Sequence, residues 1–398
     1  MPNEEDGRVD LAPRAQDWDP LEPEAVADPI VILRWLREQR PLAWTERHGG
    51  FWSLFRYQDI VEAADDPETF AQGRPQRAPA RPPLEVNPPL HTAYRRILNP
   101  YFGRTAVAAM EPYTRKVIGA LLEPLLDAGG GDLALSFTYP LPTRVLCAFL
   151  HLPDEAWTLI DELSNQIYLN EDGRGGNLEL VQRAEGELQA FALRLVSERR
   201  RSPLDATTDL VSGLIASEID GSPPTDEQII QVLRLLFMAG HNSTTSALGI
   251  CFLHLARSAN IQRRLREQPS LIPSAISEFL RYETPVMGMP RTATRDFERY
   301  GRRVAKGEQV FLVWAAANRD PQVFSRPDEC VIDRRPNRHL VFGRGIHACI
   351  GRGLAEMELR AAVEEVLART RWISLAGPVR RTSWVRFGVR SLPVRFEL

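Results

Sequence analysis

Phe342-Gly343-Arg344-Gly345-Ile346-His347-Ala348-Cys349-Ile350-Gly351 is the stretch on which the reading of this chain turns. Three glycines and one cysteine precede a run in which Ala355, Leu359, Ala362, Val363 and Val366 recur at helical spacing. Glycine tolerates positive φ and close backbone approach, so the pattern predicts a tight loop that presents Cys349 at the mouth of a helix. Free N–H groups and partial positive charge at a helix N-terminus favour thiolate over thiol.

Composition bounds what lies around that loop. The chain has 398 residues, 43% hydrophobic and 25% charged, which is ordinary for a globular protein with a large core. A net charge of -3 without a dominant basic stripe excludes nucleic acid as the main partner. Cys147, Cys251, Cys330 and Cys349 are widely scattered, the usage of a reduced cytoplasmic protein rather than a disulfide scaffold. Residues 1–20 are acidic and proline-bearing, with no apolar signal or anchor, and are expected to form a flexible tail ahead of one domain spanning 21–398. The longest apolar segment, 229–256, is broken by polar residues, so no membrane span is expected.

That segment is the second landmark. Pro223-Pro224 end what precedes it, and Thr225-x-x-Gln228 is a capping-box start. A helix from Asp226 to about Arg257 would run roughly 48 Å. Its middle reads Ala239-Gly240-His241-Asn242-Ser243-Thr244-Thr245, and buried hydroxyls and amides require partners. Either they bond back to the preceding turn or they line a groove. Further helices are expected over 29–40, 113–128, 153–169 and 178–200, a strand near Gly50–Phe55, and a strand pair within 309–317. Phe70–Pro89 reads as a loop, and Glu171–Asn177 as a glycine-rich break.

A cysteine placed like Cys349 suits three roles. It can be an inert buried thiol, join Cys330, His339 and His347 at zinc, or ligate haem iron through its thiolate. The pattern Phe-Gly-x-Gly-x-His-x-Cys-x-Gly resembles the cysteine-loop signature of the cytochrome P-450 superfamily of haem-thiolate monooxygenases. His91-x-x-x-Arg95, Ala239-Gly240 and Glu278-x-x-Arg281 follow that family's motifs in the same order.

The resemblance implies a mainly α fold with a small β-rich lobe, the cytochrome P-450 fold, and haem b between the long helix and the cysteine loop. It implies Cys349 as iron ligand, and His91, Arg95, Arg291 and His347 on the propionates. Phe342, Gly343, Gly351, Ala239 and Gly240 would also contact haem. Asn242, Ser243 and Thr244 would face oxygen, and Glu278, Arg281 and Arg334 would form a buried triad. Val286, Met287, Met289 and Phe387, with Arg386 nearby, would line a substrate pocket under a hairpin at 384–390. The loop 70–89 would cover the haem, and the break at 171–177 would lie within a lid.

The implied reaction is hydroxylation of a small organic substrate by O2. No flavin or ferredoxin domain fits beside this one, so electrons are expected from ferredoxin and ferredoxin reductase, docked by Arg344, Arg352 and Arg360. Those arginines read equally as an ordinary solvated surface. The chain departs from the family pattern at Asn242, where an acid usually stands, and at Ser243, where the first threonine stands. An amide neither takes nor gives a proton at ordinary pH, which puts the usual proton relay in doubt. Radical coupling of aromatic rings is the alternative reaction, and a non-catalytic haem sensor the rival from another class.

Overall fold

The computed structural model describes residues 16–73, 79–170, 177–382 and 384–398. Helices dominate, and the longest, Asp226–Arg257, is the axis of the molecule. It starts as the capping box dictates: Thr225 N donates to Gln228 Oε1 at 2.8 Å, and Gln228 N to Thr225 Oγ1 at 3.2 Å. Its apolar residues are buried on every side, with Phe237, Leu248, Ile250 and Phe252 fully covered. Helices Pro140–Phe149, Ala156–Asn170, Leu178–Arg201, Ile272–Tyr282 and Arg352–Arg369 all pack against it. A helix that is apolar on most sides belongs in the interior, and these neighbours put it there.

The strands gather into a smaller lobe. Its main sheet runs in the order Leu42–Thr45, Phe51–Leu54, Gln309–Leu312, Met289–Ala293, Phe70–Ala71. Phe51–Leu54 lies parallel to Gln309–Leu312, and the other neighbours are antiparallel. A three-stranded sheet joins Gly130–Asp132, Pro393–Glu397 and Trp372–Leu375. Among the described residues no helix is long and apolar enough to cross a membrane.

Several expected elements are corrected. The helix expected over 113–128 begins at Arg104, because Pro112 and Pro124 are carried inside it rather than ending it. The expected strand pair in 309–317 is one strand, Gln309–Leu312, followed by the helical turn Trp314–Ala317; the alanines there favour helix over strand. Ala259–Glu267 intervenes before the helix carrying Glu278. The paired strands of the C-terminal hairpin are Arg380–Arg381 and Val389–Ser391, which makes 384–388 its tip. Most of the expected tail and of the glycine-rich break, at 1–15 and 171–176, and part of the 70–89 loop, at 74–78, lie outside the described residues.

Candidate active site

The cysteine loop is folded by its own backbone. Cys349 N donates to Phe342 O at 2.8 Å, Gly343 N to Leu340 O at 3.0 Å, and Ala348 N to Gly345 O at 3.1 Å. Asn318 Oδ1 accepts from Leu340 N at 2.6 Å and holds the backbone that enters the loop. Gly343 and Gly345 have φ of 68° and 71°, and a β-carbon on Gly345 would lie 2.3 Å from the carbonyl oxygen of Ala64. Glycine is therefore required at 345 by conformation and by contact. Gly351 is different: at φ -82° it caps the helix Arg352–Arg369 without strain. Arg344 Nε donates to Asp65 Oδ2 at 2.7 Å, pinning the loop to the helix Tyr57–Asp65.

Cys349 is exposed although it lies deep among protein atoms. Burial pushes its thiol up; the Gly351 N–H, Arg95 and Arg352 pull the other way without prevailing. Arg95, Arg352 and the Gly351 N–H are the groups here that favour the thiolate expected from the sequence.

Four basic side chains surround the loop. The His91 and His347 rings lie 4.3 Å apart at 59°. Arg95 Nη1 donates to Ala348 O at 3.1 Å, and Arg291 Nη1 to Pro290 O at 2.9 Å. Burial lowers Arg291 to about 10. Burial, then His91, Arg291 and Arg95, lowers His347 to about 3, and His347 Nε2 is buried without a hydrogen-bond partner. Among the described residues no carboxylate pairs with any of the four. Desolvated basic groups without a counter-charge are unfavourable, so this cluster is built for an anionic ligand.

On the long helix, Ala239 is exposed and Gly240 and Ser243 are half-buried, an open stripe on an otherwise covered helix. Ser243 Oγ donates to Ala239 O at 3.0 Å, the back-bonded arrangement. Asn242 and Thr244 are buried. His241 turns away into a network with no sequence signal, since its partners come from other helices. Its Nδ1 lies 2.6 Å from Thr143 Oγ1, and its Nε2 lies 3.3 Å from Asn165 Oδ1 and 3.4 Å from Asp161 Oδ1. Burial lowers His241 to about 3 and raises Asp161 to about 6.

Glu278 accepts from Arg281 at 2.7 and 2.9 Å and from Arg334 Nε at 3.0 Å. Val331 N and Asn337 Nδ2 add bonds at 2.8 and 3.1 Å that sequence reasoning missed. Met287 and Met289 do not share one pocket. Met287 is buried with Trp18, Leu33 and Trp384, whereas Met289 packs on the cluster of Trp52 and Val310. Phe387 joins Met287 around an apolar recess beside the helix Pro29–Gln39. Val286 is half-buried and pairs with Arg386 at the hairpin tip. His339 Nε2 lies 2.9 Å from Ser277 Oγ, and among the described residues no three His, Cys, Asp or Glu side chains converge on a metal position.

The arginines expected to dock a redox partner are all paired. Arg344 holds Asp65 and Arg352 holds Glu356 at 2.9 Å. Arg360 is not free for docking: it bonds Glu111 at 2.6 Å and Glu364 at 3.2 Å, and Arg115 closes the square at 2.7 and 2.6 Å.

The family model described as Cytochrome P450 matches residues 174–397. The chain is 33% identical to cytochrome P450-SU2 of Streptomyces griseolus, over 86% of this chain and 87% of that one. The chain belongs to the cytochrome P450 family. It is 30% identical to the steroid C26-monooxygenase of Mycobacterium tuberculosis, over 91% of this chain and 92% of that one. It superposes on HmtN, a post-tailoring hydroxylase of himastatin biosynthesis, with a TM-score of 0.84 at 29% identity, covering 93% and 97% of the two chains. This P450 is therefore a haem monooxygenase of the mostly helical P450 fold. Its residues fit the cofactor: a haem carries two carboxylates, and the His91–Arg95–Arg291–His347 cluster, with the orphaned Nε2 of His347, lacks an anion.

Proposed function

We propose that this P450 hydroxylates a small hydrophobic organic molecule of the secondary-metabolite type, with electrons from an external ferredoxin and its reductase. Haem b, with Cys349 as its ligand, would supply the activation of dioxygen. His91, Arg95, Arg291 and His347 would hold its carboxylates by charge-assisted hydrogen bonds. The observation that carries the hydroxylation reading is the open stripe of the long helix, which keeps the hydroxyl of Ser243 beside exposed Ala239. Two relatives of this chain are named for oxidations of that kind, one on a steroid and one in himastatin biosynthesis. Apolar Val286 and Phe387, near the hairpin tip, suit a hydrophobic substrate. Arg344 and Arg352, at the rim of the cysteine loop, suit an acidic redox partner.

Reduced protein under carbon monoxide is expected to show the strongly red-shifted Soret band of thiolate ligation, and Cys349→Ala to abolish it. An imidazole-type spectrum in the wild type would end the assignment. One observation favours a second reaction. Asn242 in place of an acid weakens proton delivery, and radical coupling of aromatic rings inserts no oxygen. Labelled dioxygen separates the two: label in the product marks hydroxylation, and an unlabelled cross-linked product marks coupling.

A further inference from the structure

Between Ile229 and Ile250 the long helix is buried except at Leu235, Met238, Ala239, Gly240 and Ser243. Leu235, Ala239 and Ser243 follow one another at four-residue spacing and form one face, with Met238 and Gly240 along its two edges. A buried arginine from the segment 79–89 rests on the Met238 edge: Arg81 Nη1 donates to Met238 Sδ at 2.9 Å. Arg81 is 6% exposed, yet among the described residues that thioether, a weak acceptor, is all its guanidinium finds, and Nη2 is buried with no hydrogen-bond partner. Its ion pairs are long, with Nη2 3.7 Å from Glu185 Oε1 and Nε 3.9 Å from Glu85 Oε2. Arg234, buried one turn before Met238, reaches the same Glu185 oxygen from 3.6 Å. These separations exceed hydrogen-bond length. By contrast, Arg281 and Arg334 hold Glu278 at 2.7 and 3.0 Å. Two buried guanidinium groups thus face a carboxylate that hydrogen-bonds neither of them.

We propose that Arg81 and Arg234 form a carboxylate-binding site at the edge of the open stripe, and that the substrate is a hydrophobic carboxylic acid whose anion is held there. The proposal rests on the hydroxylation reading above and names its substrate class. Guanidinium groups match carboxylates in shape and charge, and a buried cation gains most from an oxygen at hydrogen-bond distance. An entering carboxylate gives Arg81 Nη2 the acceptor it lacks. Glu185 can turn to water as it enters, because its side chain is 26% exposed on the helix Leu178–Arg201. The rest of the molecule then lies along Leu235 and Ala239, an apolar surface suited to a hydrocarbon body. A charged anchor at one end of the substrate fixes which of its carbons comes to lie beside Ser243.

Dodecanoic, phenylbutanoic and adamantanecarboxylic acids, each beside its methyl ester, test the site on the haem-loaded protein. Binding is read by ligand-induced difference spectra and by the rise in melting temperature. At least one acid is expected to bind about tenfold more tightly than its ester, the worth of one charge-assisted hydrogen bond. Three pairs bound alike, or not at all, overturn the proposal. Arg81→Gln is expected to remove the preference for the acid and leave the ester's affinity unmoved. Equal losses for acid and ester would mean that Arg81 only holds the segment 79–89 in place, which also overturns it. Glu185→Gln removes the competing carboxylate and is expected to tighten acid binding several-fold; unchanged or weaker binding counts against the site. Arg234→Gln replaces Arg81→Gln in the same comparison if the latter does not fold. Chloride and phosphate are titrated alongside, and if they raise the melting temperature through Arg81 while no acid competes, the site takes inorganic anions only and the substrate class falls. A wild type lacking the thiolate-type carbon monoxide spectrum would instead refute the function reading, while acid-dependent melting still judges the site.

Discussion

Arg334 Nε donates to both oxygens of Glu278, at 3.0 Å each, across 56 residues of sequence. The same carboxylate holds Arg281, so one buried acid serves two buried guanidinium groups. The remaining donors end on carbonyls: Arg281 on Asn318, Pro327 and Glu329, and Arg334 on Ser325 and Arg326. The cluster therefore fastens the segment 318–334 that feeds the cysteine loop. Glu278→Gln leaves two cations buried without a counter-charge and is expected to lose about 3–5 kcal/mol. Urea unfolding checks this, and a loss below about 1 kcal/mol would show that the cluster does not carry the segment. Arg334→Lys is expected to destabilise the fold as well, because an ammonium cannot reproduce the guanidinium fork that bonds Glu278, Ser325 and Arg326.

The contact between Gly345 and Ala64 gives a sharper local test. A methyl group at 345 would meet a backbone carbonyl at 2.3 Å and force a φ of 71° on an L-residue. Gly345→Ala is expected to push the cysteine loop off the helix Tyr57–Asp65, lowering both melting temperature and haem retention. Gly353→Ala is the control: its β-carbon would lie 3.7 Å from Val107 Cγ2, an ordinary contact. Equal haem retention in the two variants would mean that the loop tolerates the displacement.

Much of this architecture was legible in sequence because it is written in local chemistry. Thr225 and Gln228 announce the start of the long helix, and the glycines around Arg344 announce a loop needing positive φ. The basic cluster was legible only through the family resemblance, since His91 and Arg291 are 200 residues apart in a chain whose spacing says nothing of their meeting. The split between Met287 and Met289 was not legible. Two residues apart in a strand share a face, yet Met287 precedes the strand Met289–Ala293 and turns into another cluster. The His241 network was hidden for the same reason: Thr143, Asp161 and Asn165 lie on helices whose mutual packing no periodicity fixes.

That network gives the stability of the protein a pH signature. The unfolded chain protonates His241 near 6.5, whereas burial holds the folded chain's His241 neutral down to about 3. Stability from this group is complete above 6.5 and is lost as the pH falls towards 3. Asp161 works in the opposite sense. Burial raises it to about 6 against 3.8, so its charged form weakens the fold above about 6, and that weakness is relieved as pH falls. His241→Gln is expected to flatten the loss of stability between pH 6.5 and 4. Asp161→Asn is expected to be more stable than the wild type at pH 7.5 and to converge with it near pH 4. Urea unfolding across that range decides both, and parallel curves for all three proteins would place the two groups outside the titration.

The paired arginines of the cysteine-loop face refine the redox proposal. Arg360 is locked between Glu111 and Glu364, so Arg360→Gln should disturb the square with Arg115 and lower stability without slowing reduction by ferredoxin. Arg352 is different: its side chain is 59% exposed and its partner Glu356 lies one turn away on the same helix. Exposed i,i+4 pairs are worth only about 0.3–0.5 kcal/mol, so Arg352 can leave Glu356 for an acidic partner at little cost. Arg352→Glu is expected to slow reduction by ferredoxin while leaving the spectral change on substrate binding unmoved. Rising salt should slow the wild type and affect the variant less, since screening acts on the charge the variant has lost. Stopped-flow reduction at several ionic strengths checks both points, and a salt-independent wild-type rate would move the docking face away from Arg352.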